Sequence, residues 1–152
     1  MTSCVALVVA AGRGTRLAGA QPKQYLSLAG AALLRRTLTA LARPPGIDRL
    51  RVVYHPDDAA LYEAATAGLT LLPPVTGGAT RQDSVRLGLE SLAELSPEHV
   101  LIHDAARPFI DEAVIGRVLA ALADSSGAMP ALALRDTVKR GAGGRVVETL
   151  DR

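Results

Sequence analysis

The sequence predicts an α/β fold: a mostly parallel sheet with helices on both faces. Three observations predict it. Short, almost wholly apolar runs, typified by Val5-Ala6-Leu7-Val8-Val9, have the composition of strands buried on both faces. Between them lie segments whose apolar residues recur at helical spacing. The two kinds alternate as β-α-β-α-β-α-β-α-β, the order that the crossovers of a parallel sheet require.

Each element has its own signals. The strand Val5 to Val9 opens into a Gly-rich, Arg-bearing stretch, Gly12 to Gly19. Leu33, Leu34, Leu38 and Leu41 predict a helix over 31–43, stopped by Pro44-Pro45-Gly46. Leu50 to Tyr54 is the second strand, and Pro56-Asp57-Asp58 starts a helix with Leu61, Ala64 and Ala65 as its buried stripe. Leu69 to Leu72 is a short strand. A helix over 80–95 follows Gly77-Gly78, with Val85, Leu89, Leu92 and Leu95 along one side. Val100-Leu101-Ile102 is the fourth strand and ends in His103-Asp104. Asp111 caps a helix whose stripe is Val114, Ile115, Val118, Leu119 and Leu122. Pro130 to Leu134 is the fifth strand, and Gly141 to Gly144 turns a hairpin between Val138 and Val146-Val147.

A chain of 152 residues is one domain's worth, and 49% apolar with 21% charged residues is a globular composition. Aromatic residues are 3%, too few for base-stacking platforms, and a net charge of +2 makes no nucleic-acid patch. Among 17 basic residues only Lys23 and Lys139 are lysines, and guanidinium suits phosphate ligands. Cys4 is alone, which fits a reducing compartment. The first apolar run is too short to span a bilayer and lacks a basic flank, so a cytoplasmic protein without membrane attachment is expected.

In open α/β sheets ligands bind beyond the carboxyl ends of the strands. Three loops fall on that rim. In the first, Ala10-Ala11-Gly12-Arg13-Gly14-Thr15-Arg16, the glycines offer bare N–H groups to an anion, while Arg16 and Lys23 add positive charge. Neither the P-loop nor the dinucleotide fingerprint fits, since no Gly-Lys pair occurs and Leu17 holds the third glycine's place. A plain strand-to-helix loop with solvated arginines has the same outline. In the second loop, Gly77-Gly78-Ala79-Thr80-Arg81-Gln82-Asp83-Ser84, Thr80 or Asp83 could simply cap a helix and Ser84 could be a surface residue. In the third, His103-Asp104-Ala105-Ala106-Arg107-Pro108, Asp104 is placed to hold Mg²⁺ opposite a phosphate loop, with Arg107 facing a second phosphate. The alternative is a structural cap with Arg107 as its ion pair. His103 is an acid–base group or a satisfied hydrogen-bonding residue beside the strand end, and Cys4 is inert core.

These motifs resemble a family. Ala10-Ala11-Gly12-x-Gly14-x-Arg16 with Pro22-Lys23-Gln24-Tyr25 is similar to the signature of nucleotidyltransferases that activate a small phosphate with an NTP. The Pro-Lys-Gln-Tyr form and His-Asp-Ala-Ala-Arg-Pro resemble the 2-C-methyl-D-erythritol 4-phosphate cytidylyltransferase branch of the non-mevalonate isoprenoid pathway. The resemblance implies a three-layer α/β/α Rossmann-like nucleotidyltransferase fold with a β-arm near the C-terminal end. It implies Arg16 and Lys23 as catalytic cations. It implies nucleotide contacts at Ala10, Ala11, Gly12, Arg13, Gly14, Gly78, Ala79, Arg81, Ser84 and Ala105. Asp104, Arg107, Thr137 and a partner's Arg152 would face the acceptor, with Asp104 as the metal residue. CTP, methylerythritol phosphate and a divalent cation are the implied ligands, and a homodimer through the arm at 137–152 the implied assembly. Ala79 and Thr80 stand where the family commonly has acidic residues. The family runs on by roughly half a domain, so residues 1–152 are expected to be a C-terminally incomplete nucleotidyltransferase domain. A ribitol-5-phosphate cytidylyltransferase and a non-catalytic nucleotide-binding or dimerisation fragment remain as alternatives.

Overall fold

The computed structural model describes residues 3–13 and 21–151. The elements, in chain order, are β1 (Cys4–Ala10), β2 (Ser27–Leu28), β3 (Ala31–Ala32), α1 (Leu33–Leu41), β4 (Arg49–Tyr54) and α2 (Ala59–Thr66). Then follow β5 (Val75–Thr76), α3 (Arg81–Glu90), β6 (His99–Asp104), α4 (Glu112–Ala121), β7 (Val138–Ala142) and β8 (Arg145–Leu150). Short 3₁₀ turns lie at Lys23–Tyr25, Pro56–Asp58 and Ala93–Leu95.

Four parallel strands form the central sheet in the order β5-β4-β1-β6. The crossovers through α1 and α2 step one way along the sheet, and the crossover through α3 steps back past β1. With the usual right-handed connection, opposite steps put helices on opposite faces. Burial agrees. Ala6, Val8 and Ala10 of β1 join Leu34, Leu38, Leu41, Tyr62, Ala65 and Ile115 in the larger core, under α1, α2 and α4. Leu7, Ala11 and Val53 form the smaller core on the face where α3 packs. Cys4 is sealed in β1, and burial first, then the Asp48 charge, pushes its thiol up to about 11. It is core, as expected.

The register matters more for the site than the layers do. Ala10 pairs with Tyr54, Tyr54 with Thr76, and Val9 with Asp104. The four carboxyl ends are therefore level, and the loops after them start from one rim. The Ala105 amide donates to Val9 O (3.0 Å) and the Gly77 amide to Tyr54 O (2.8 Å), which extends the ladder into those loops.

Several expectations need correcting. The strand expected at Leu69 to Leu72 is one hydrogen bond, Leu72 N to Leu50 O (2.8 Å); Pro73-Pro74 has no N–H to continue it, and pairing resumes at β5. Helix α3 ends at Glu90, not at residue 95, and its buried positions are Ser84 and Gly88 rather than Val85 and Leu89. The reason is proximity: a Cβ at Gly88 would stand 2.7 Å from Leu7 Cδ2 and 2.8 Å from Val53 Cγ2. In α2, Tyr62 replaces Ala64 on the buried side, its ring stacked 4.8 Å from that of Tyr54. The strand expected at Pro130 to Leu134 does not form. Pro130 lacks a ladder donor, no strand runs alongside, and Leu132 is 95% exposed. The C-terminal hairpin does form, as β7 and β8, turning through Gly143 and Gly144 at φ 56° and 75°.

Candidate active site

The chain reverses its stepping direction between β1 and β6, and at such a switch point the two diverging loops leave a crevice. A cleft of about 560 Å³ opens there, a size suited to a small ligand. Its walls hold Ala11, Gly12, Arg13, Lys23 and Gln24 from the first loop. Gly78, Ala79, Thr80, Arg81 and Ser84 come from the second, and Asp104, Ala105, Ala106 and Arg107 from the third. The three rims predicted from sequence thus meet. Apart from its chain neighbours, no described residue lies within 4 Å of where a Cβ at Gly12 would stand, so packing among the described residues does not explain the glycine.

Gln24, buried, ties the neck of the first loop. Its Nε2 donates to Ala10 O (2.6 Å) and Gly12 O (3.0 Å), which sets Lys23 beside Gly12. The Ala10 carbonyl is thereby engaged, and Ala10 is not part of the cleft wall. The Arg13 guanidinium pairs with Asp58 Oδ1 (2.8 Å) and Asp57 Oδ2 (2.7 Å). Gly14, Arg16 and Arg152 lie outside the described residues.

In the second loop the capping reading holds for Thr80 and Asp83 but not the surface reading of Ser84. Thr80 and Asp83 form a reciprocal capping box for α3, and Ser84 is no surface residue, being 2% exposed. Its Oγ accepts from Gly78 N (3.1 Å) and donates to Thr80 O (2.9 Å), fixing the paired-glycine turn. Gly77 must be glycine, since a Cβ there would come within 2.4 Å of Ala11 Cβ.

Asp104 caps no helix. Arg81 Nη2 reaches its Oδ1 at 2.9 Å and Arg107 Nε its Oδ2 at 2.8 Å. Partial burial pushes the carboxyl up, but the hydrogen bond and charge of Arg81, then Arg107 and His103, outweigh it and hold it below the ordinary carboxylate value. His103 Nε2 lies 2.9 Å from Arg107 O, and because a carbonyl only accepts, that nitrogen carries the proton. It is the satisfied histidine of the two readings. Among the described residues no group of three or more His, Cys, Asp or Glu could hold a metal ion. One carboxylate at the rim of a cleft that lysine and arginine also line fits a hard cation that takes its other ligands from phosphate and water. Thr137 is exposed at the foot of β7 and is not part of the cleft wall.

Sequence reasoning missed His55, Gln24 and Asp58. His55 also lines the cleft, and it follows the carboxyl end of β4, so the rim rule applied to that strand would have found it. Nothing in the sequence marks Gln24 as the neck tie or Asp58 as more than a helix start.

A parallel α/β unit whose switch-point cleft carries a glycine turn, a lysine and an arginine-flanked carboxylate has the makings of a nucleotide-binding transferase. A family model for 2-C-methyl-D-erythritol 4-phosphate cytidylyltransferase (IspD) matches residues 4–152. The bifunctional IspD/IspF enzyme of Paramagnetospirillum magneticum is 59% identical over 152 residues, covering 100% of this chain and 40% of that protein. That of Rhodospirillum rubrum is 58% identical over 153 residues, with the same coverage of 100% and 40%. A crystal structure of 4-diphosphocytidyl-2C-methyl-D-erythritol synthase superposes with TM-score 0.81 at 29% identity, covering 99% of this chain and 69% of that one. Another, from Anaerococcus prevotii, gives 0.80 at 27% identity, covering 99% and 65%. The chain belongs to the 2-C-methyl-D-erythritol 4-phosphate cytidylyltransferase family. It spans 40% of the length of these two bifunctional relatives. Among the described residues no helix is long and apolar enough to cross a membrane.

Proposed function

We propose that this chain carries the site for cytidylyl transfer from CTP to 2-C-methyl-D-erythritol 4-phosphate, giving the CDP-linked alcohol and pyrophosphate. The observation that carries the reading is one cleft lined by Gly12, Lys23, Gly78, Arg81, Ser84, Asp104 and Arg107, which lie at or beyond level strand ends. Gly12 is bare enough for a ligand to touch its backbone, while Gly78 packs against Asp83 and gives its amide to Ser84. The Ser84-braced turn supports a cytosine at that end of the cleft. A phosphate oxygen of the acceptor attacks the α-phosphorus in line with departing pyrophosphate. That oxygen is already ionised near neutrality, so no general base is needed. The protein supplies position and charge. Lys23, with Arg16, offsets charge growing on the α-phosphate and the leaving group. Arg107, Thr137 and a partner's Arg152 orient the acceptor phosphate. A divalent cation, Mg²⁺ in this reading, would be held by Asp104 and would neutralise triphosphate charge. We take residues 1–152 as part of one nucleotidyltransferase unit, with 137–152 forming an arm that meets a second copy.

The test is pyrophosphate release by the intact protein with each NTP and each acceptor. Release is expected with CTP and methylerythritol phosphate alone. Release with ribitol 5-phosphate instead, or with no acceptor at all, overturns the assignment. In the same assay Lys23→Ala should lose about 10²–10³ in kcat, with CTP binding much less affected; near-normal turnover removes Lys23 from the mechanism.

A further inference from the structure

Asp58 is a charged side chain in the wrong place for an ordinary one. It is 3% exposed, yet it stands at the N-cap of α2 without capping it; its carboxylate accepts no hydrogen bond from the helix amides. The turn before it is capped by His55, whose Nδ1 accepts from the Asp57 amide at 3.2 Å. The Asp58 carboxylate is directed elsewhere. One oxygen takes the Arg13 guanidinium at 2.8 Å, from 45 residues away in sequence. The other, Oδ2, is buried without a hydrogen-bond partner among the described residues, and so is the hydroxyl of Tyr25. Asp58 is the charged group that acts most strongly on that hydroxyl. The 3₁₀ turn that carries Tyr25 packs against α2, and Lys23 and Gln24 belong to the same turn. Desolvating a carboxylate costs several kcal/mol, which one half-exposed arginine offsets incompletely. A buried pair with an orphan oxygen is therefore a poor stabiliser, and its value lies in what it fixes.

We propose that Asp58 is a positioning residue for the phosphate loop: it anchors Gly12–Arg13, at the loop's start, onto the head of α2 through Arg13. Arg13 is then a tether and not a phosphate ligand, although it lies within the nucleotide-binding signature. The geometry explains the division of labour between Arg13 and Lys23. Arg13 divides its fork between two carboxylates, which offset its charge and fix the guanidinium against the turn that starts α2. Lys23, on the far side of the Gln24 tie, faces the cleft. The inference deepens the cytidylyl-transfer reading and rests on it.

The experiment uses the intact protein, with kcat and the KM for CTP measured separately. Wild-type pyrophosphate release from CTP tests the underlying reading on its own, and the variants test only the tether. Arg13→Ala should lower kcat about 10–100-fold, the scale expected when a reacting group is misplaced, with the CTP KM unchanged within about threefold. Asp58→Asn should reproduce that loss, and the Arg13→Ala/Asp58→Asn pair should be no worse than either alone. Arg13→Lys, a point charge that can still reach Asp58, should recover part of kcat. The proposal is overturned if Arg13→Ala raises the CTP KM tenfold at normal kcat, if Asp58→Asn tightens CTP binding by freeing Arg13, or if neither variant changes kcat. Arg13 is partly exposed, so its truncation empties no core, and the Arg13 variants decide the matter even where Asp58→Asn fails to fold.

Discussion

One carboxylate facing two guanidiniums leaves a net positive charge at the mouth of the cleft, and Asp104 decides how that charge is used. In the free protein Arg81 and Arg107 are both occupied by Asp104, at 2.9 and 2.8 Å. A metal-free triphosphate arriving there meets arginines already paired and a carboxylate that repels it. A divalent cation held by Asp104 would give the carboxylate another partner and would leave Arg81 and Arg107 able to bind phosphate. The pair energies themselves are small, since Arg81 and Arg107 are largely solvent-exposed and such contacts are worth ~0–1 kcal/mol. The consequence is therefore read in binding, not in stability. Asp104→Asn should bind CTP in EDTA several-fold more tightly than wild type, by calorimetry, because both arginines are free. The same variant should lose about 10²–10³ in kcat with Mg²⁺ present. Equal EDTA affinities in the two proteins would show that the arginine pairing is idle.

Helix α3 shows how an element is built to bring a site residue in. It is anchored by the Thr80–Asp83 capping box, and it touches the sheet through Ser84 and Gly88, the smallest residues it has on that side. Close approach lets Ser84 reach the Gly78 amide at 3.1 Å from the first turn. A methyl at position 88 would collide with Leu7 and Val53, both fully buried and without room to retreat. Gly88→Ala gains up to about 1 kcal/mol of helix propensity but pays about 1–3 kcal/mol in overpacking. Net destabilisation of about 1 kcal/mol is expected in urea unfolding, together with a raised CTP KM as Ser84 moves off; a stabilised variant would refute the packing argument. The same helix shows what sequence could tell. Its start was legible, because Thr80 and Asp83 have a local signature. Its buried face was not, because apolar counting favours Val85 and Leu89 and cannot see that a close-packed helix buries its small residues. Strands β1, β4 and β6 were legible from apolar runs, whereas Leu69 to Leu72 lies beside β4 but is cut off by Pro73-Pro74, and Pro130 to Leu134 has the run without a described pairing strand. In the site, Gly12, Lys23, Gly78 and Asp104 were found because the rim rule is topological. Gln24 and Asp58 were missed because their work is done through tertiary partners far along the chain.

Across the whole molecule, burial is uneven in a way that points outward. The strands β1 and β4 are nearly sealed, while the large exposed apolar residues gather later: Phe109, Met129, Leu132, Leu134, Val146 and Val147. The last two stand on β8, 65% and 58% exposed, in a hairpin whose residues are exposed or at best half-buried. A two-stranded hairpin alone in water is marginal at best. Its internal links, the Arg140–Glu148 ion pair at 3.1 Å and the Lys139–Thr149 hydrogen bond at 2.7 Å, are solvent-exposed and add little. In the proposed assembly a second copy of the chain would cover it. Burying two valines stabilises the pairing by about 1.5–3 kcal/mol each, and a carboxylate at one of them removes that and adds a desolvation cost. Val146→Asp in the intact protein should thus shift the sedimentation profile from dimer to monomer at micromolar concentration. CTP binding should survive, because every residue of the described cleft lies before the hairpin. Turnover of the acceptor should fall, because Arg152 is then no longer delivered by the partner. A variant that stays dimeric, or a monomer that keeps full turnover, would detach the hairpin from both assembly and catalysis.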